Sequence, residues 1–69
     1  MFEIIYKDTV LYITNSRVVA FEHVFMEAAK RSLEFYQENS RYGRYGRVDF
    51  IFYHADNENE LEVFTIIKN

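Results

Sequence analysis

Residues 17–37, RVVAFEHVFMEAAKRSLEFYQ, decide the fold, because they are the stretch whose apolar residues recur at helical spacing. On a wheel of about 100° per residue, His23, Glu27, Lys30 and Glu34 share one side, with Arg31 at its edge. Val18, Phe21, Val24, Phe25, Ala28, Phe35 and Tyr36 share the opposite side and are expected to face a core. Glu27/Arg31 and Lys30/Glu34 are i,i+4 pairs of opposite charge, as on a solvated helix face. Asn15 or Ser16 can cap the start, since a short side-chain oxygen accepts from the free N–H groups of the first turn. The spacing therefore predicts one helix over Arg17–Gln37. A rival reading keeps Arg17–Phe21 as a strand paired through an Asn15-Ser16 turn and starts the helix near Glu22. The Val18-Val19 pair and the lack of a Glu at the third helical position favour that rival.

Outward from this segment the chain reads as strands. Phe2–Tyr6 and Thr9–Thr14 are β-branched or aromatic and flank a tight Lys7-Asp8 turn. Val48–His54 and Leu61–Lys68 flank a polar turn over Ala55–Glu60. The order is ββαββ. The expected class is α+β: one small domain over 1–69, with a four-stranded, mostly antiparallel sheet carrying the helix on one face and a loop at 39–47.

One helix covers one face of such a sheet, yet the strands are apolar on both. Ile5, Val10, Ile51, Phe64 and Ile66 alternate with neighbours that are apolar themselves. Val19, Met26 and Leu33 add a stripe at seven-residue spacing beside the expected helix core. So much uncovered apolar surface implies association, through the open sheet face or this helix flank, and a symmetric homodimer is the commonest closed solution.

Composition excludes several classes. Cysteine is absent, so there is no disulfide or thiol chemistry, and a reducing compartment is expected. The first residues lack the layout of a signal peptide, and no apolar run reaches the ~18 residues of a membrane span, so a cytoplasmic protein is expected. His23, on the charged helix face, and His54, at a strand end, read as surface residues, and two His without Cys cannot close a zinc site unless carboxylates join them. An EF-hand reading of the acidic run fails because Leu61 and Ile67 stand where Gly and Glu are required. No serine has the context of a nucleophile, and the glycines do not form a phosphate loop. Neither catalysis nor a metal or other cofactor is expected.

Net charge is −3 and unevenly spread. Residues 48–69 carry Asp49, Asp56, Glu58, Glu60 and Glu62 against Lys68, a net of −4. On an extended strand, acids two apart recur about every 6.6 Å on one face, comparable to a row of phosphates. The opposite chemistry sits in Arg41–Arg47, which repeats Arg-Tyr-Gly. Arg41, Arg44 and Arg47 can bond phosphate, and Tyr42 and Tyr45 can stack on bases.

The small size, the aromatic surplus, the Asp56–Glu62 alternation and a composition like that of AT-rich genomes resemble phage-encoded host-takeover proteins, several of which act as DNA mimics. That resemblance implies a homodimeric inhibitor in the host cytoplasm. Asp49, Asp56, Glu58, Glu60 and Glu62 would occupy the basic groove of a host DNA-binding protein. The alternatives are a nucleic-acid binder acting through Arg41, Tyr42, Arg44, Tyr45 and Arg47, and a regulatory dimer binding its partner through Val19, Met26 and Leu33.

Overall fold

A computed structural model describes residues 1–40 and 46–69. The chain is a small single α+β domain with one helix on a five-stranded antiparallel sheet. The strands are β1 (Phe2–Tyr6), β2 (Thr9–Thr14), β3 (Leu33–Ser40), β4 (Arg47–His54) and β5 (Asn57–Lys68), and the helix α1 (Arg17–Lys30) lies between β2 and β3 in sequence. The strand order is β2-β1-β5-β4-β3. The first and last strands are neighbours, with Phe2 opposite Lys68 and Tyr6 opposite Phe64. Among the described residues, no helix is long and apolar enough to cross a membrane.

Local chemistry sets the element ends. Lys7 and Asp8 both adopt positive φ, 49° and 63°, as a two-residue hairpin turn requires if it is to match the twist of its strands. Ser16 caps α1: its hydroxyl accepts from the Val19 N–H at 3.2 Å, so the helix starts at Arg17 and the rival strand over Arg17–Phe21 is not formed.

The helix stops at Lys30 rather than Gln37, which corrects the predicted four-stranded ββαββ order to ββαβββ. Ser32 takes a left-handed φ of 58° that no α-helix continues through. Beyond it, Leu33 and Phe35 turn toward the core side of the sheet, opposite His54 and Phe52. The helical preference of Leu, Glu and Gln is worth only tenths of a kcal/mol per residue, about 0.7 at most, and pairing with β4 overrides it. Lys30 therefore meets Glu27 at 3.4 Å instead of pairing with Glu34, which stands in β3. The expected Glu27/Arg31 pair does form, at 2.8 Å.

The core lies between α1 and one sheet face. Ile4, Val48, Phe50, Phe52, Phe64 and Ile66 are fully buried there. The buried helix stripe is Ala20, Val24 and Ala28, whose small side chains let the helix sit close to the rings below. Phe21 meets Phe50 edge-on at 5.2 Å, and Phe25 reaches Phe35, Phe50 and Phe52. Val18, expected in this stripe, is exposed. The opposite flank of the helix is polar yet packed. His23 stacks on Tyr12 with ring centroids 4.1 Å apart, so it is not a free surface residue, and the Arg31 guanidinium lies 4.8 Å over the Tyr6 ring.

Candidate protein-binding face

Among the described residues, no element lies over the sheet face turned away from α1. Strand alternation places Ile5, Thr65, Val63, Ile67, Leu61, Arg47, Asp49, Ile51 and Tyr53 on that face, opposite to buried Ile4, Phe64 and Ile66. Val10, Ile13, Leu61 and Val63 stay 44–52% exposed there, as large apolar side chains on a monomer. A shallow groove of about 690 Å³ runs along β5, from the Lys7-Asp8 turn past Val63 and Thr65 to Arg47 and Asp49.

Polar groups at the Arg47 end of the groove are already matched. Thr65, almost fully buried, donates from Oγ1 to Asp49 Oδ1 at 2.7 Å, and Arg47 Nε donates to the same oxygen at 3.1 Å. The centre of the face is thus a neutralised polar pair surrounded by aliphatic side chains.

The acidic residues do not form one row. Asp49 is on the open face, bonded to Arg47 and Thr65. Asp56 is exposed at the tip of the β4–β5 hairpin. Asn57 stands opposite His54 and Leu61 opposite Tyr53, so residues 58–60 form an excursion from the ladder, and the straight two-residue pitch is lost. Glu58 lies beside Tyr53. Glu60 and Glu62 meet His54 instead, with His54 Nε2 2.9 Å from Glu62 Oε2 and 3.6 Å from Glu60 Oε1. The bond from His54, with help from Lys7 at 3.8 Å, holds the Glu62 carboxyl below its ordinary range.

His54 is half-buried between carboxylates, contrary to its reading as a simple surface residue, because its partners are set by the β4–β5 register. The donor atoms of His54, Glu60 and Glu62 all lie within 4.8 Å of one another, a group among the described residues that could hold a cation. The nearby Lys7 ammonium supplies positive charge to Glu62 already and would repel one.

The other expected sites are dispersed. Val19 and Met26 are exposed on α1, but Leu33 belongs to β3 and is buried, so the apolar helix stripe does not continue to it. Arg47 opens β4 and pairs with Asp49 at 3.1 Å. Arg41, Tyr42, Arg44 and Tyr45 lie outside the described residues. No protein-family model matches this chain, and no curated protein or solved structure is significantly similar to it.

Proposed function

We propose that this chain is a non-enzymatic protein–protein interaction module that forms a homodimer by packing the open faces of two sheets together. The observation that carries the reading is the set of half-exposed Val10, Ile13, Leu61 and Val63 on a sheet face that no other described element covers. Transfer of such surface from water is worth about 25 cal/mol per Å². Two sheets packed face to face bury it in the way β-sandwiches do.

The charge layout favours a second copy as the occupant. The groove has Lys7 and Asp8 at one end and Arg47 and Asp49 at the other, each end carrying both signs. A two-fold axis through its middle would set Asp8 of one copy toward Arg47 of the other, twice over, and like charges need not meet.

Competition with DNA for a basic host protein, the mechanism suggested by the acidic alternation, draws less support from this geometry. It asks for a regular row of free carboxylates, whereas Glu62 is tied to His54 and Asp49 to Arg47. The test is Val63→Glu, which sets a charge in the centre of the apolar face. Light scattering is expected to give a dimer for the unaltered chain and a folded monomer of 8.4 kDa for the variant. A monomeric unaltered chain, or a dimer indifferent to Val63→Glu, would refute the reading.

A further inference from the structure

Two irregularities of the sheet converge on one residue, Tyr53. On one side, Tyr36 is an extra residue in β3: Phe35 stands opposite Phe52 and Gln37 opposite Ile51, leaving Tyr36 without its own partner in β4. On the other side, β5 makes the excursion at residues 58–60. The Asn57 side chain fastens it by accepting from the Asn59 N–H at 3.1 Å. Extra residues of this kind bend a strand and re-aim side chains, and they gather beside functional sites. Here they bring Tyr36, Glu58 and Asn59 against Tyr53 and Leu61 around a groove of about 450 Å³, within the size range of ligand sites.

The groove is aromatic and negative. The Tyr53 hydroxyl bonds to Glu34, and this bond, together with the nearby charges of Glu34 and Glu58, pushes the phenol above its ordinary pKa. Among the described residues, neither Glu34 nor Glu58 is in an ion pair. Two tyrosines with two uncompensated carboxylates are the setting in which an ammonium or guanidinium group gains both ring-face attraction and charge pairing.

We infer that this groove receives a lysine or arginine side chain of a partner protein, held between Tyr36 and Tyr53 and neutralised by Glu34 and Glu58. The inference goes beyond pairing of two copies and needs only one chain. The groove lies toward the β3 edge and shares Leu61 with the apolar face, whose Val10, Ile13 and Ile5 are exposed or half-exposed on the β2 and β1 side. Copies paired over that side leave it at the rim.

The test is a titration of the ¹⁵N-labelled chain with a short peptide carrying one central arginine, followed by amide shifts. The control peptide has citrulline in that place, which keeps the shape and removes the charge. Saturable shifts centred on Tyr36, Tyr53 and Glu58 are expected from the arginine peptide only. Glu58→Gln should weaken binding by about three- to tenfold, and Tyr36→Ala by at least as much. Glu60→Gln, beside His54 and outside the groove, should change nothing. Glu58 and Tyr36 are both exposed, so both variants should remain folded, which their amide spectra report directly. Equal shifts with citrulline, no saturable shift at all, or binding untouched by Glu58→Gln and Tyr36→Ala would each overturn the inference.

Discussion

Thr65 and Asp49 face each other across β5 and β4, and the 2.7 Å hydrogen bond between them is the polar centre of an otherwise apolar sheet face. The pair is asymmetric. Asp49 has a second partner in Arg47, whereas the Thr65 hydroxyl is almost fully buried and is satisfied by Asp49. Removing one member of a buried pair strands the other, while an apolar replacement of similar shape can be nearly neutral. Asp49→Ala should therefore cost about 1–3 kcal/mol, and Thr65→Val less, since Asp49 keeps Arg47. Urea midpoints of the two variants, compared at one protein concentration, check the order. A larger loss for Thr65→Val would contradict it.

Backbone conformation gives a second expectation, with opposite signs at two positions. Ser32 holds a φ of 58° with a side chain in place, and Gly46 holds 61° without one. Ser32→Gly should raise the melting temperature, because a left-handed residue with a Cβ costs about 1–2 kcal/mol. Gly46→Ala should lower it. The new Cβ would meet the Lys68 carbonyl oxygen at 3.2 Å, beside the 2.7 Å hydrogen bond that Lys68 N–H donates to the Gly46 carbonyl. Thermal unfolding of the two single variants measures both signs.

Acid lability should trace to two carboxylates. Hydrogen bonding from Arg31 holds Glu27 below its ordinary value of 4.5, and hydrogen bonding from His54 does the same for Glu62. A depressed folded pKa means that the contribution is complete above the unfolded value. It is lost as pH falls through the folded one. On this account the melting temperature holds down to about pH 5 and declines below it. The double variant Glu27→Gln/Glu62→Gln should show a shallower decline over the same range. An unchanged slope would assign acid lability to other groups.

Much of the architecture was legible in the sequence. The Lys7-Asp8 turn, the Ser16 cap, the strands Phe2–Tyr6 and Thr9–Thr14 and the surplus on the open face follow from residue type and alternation. Strand β3 was not, because Glu34, Phe35 and Tyr36 extend the helical spacing of the residues before them. The break falls at Ser32, and the chain has no proline and no glycine there to mark it. With β3 hidden, the spacing puts Tyr36 on a helix, and nothing in the sequence signals that it lines one groove with Tyr53. The grouping of His54 with Glu60 and Glu62 was hidden for another reason. It depends on the register of β4 against β5, and the excursion at residues 58–60 changes which acids share a side.

The most direct test of the central proposal is an isotope-filtered NOE experiment on a mixed sample, half ¹³C-labelled and half unlabelled. It detects contacts between copies and nothing within one. If the open faces pair, contacts between copies are expected among the methyl groups of Ile5, Val63 and Ile67, and they should vanish with Val63→Glu. Contacts confined to Val19 and Met26 would place the interface on the helix instead, and the open-face account would be wrong.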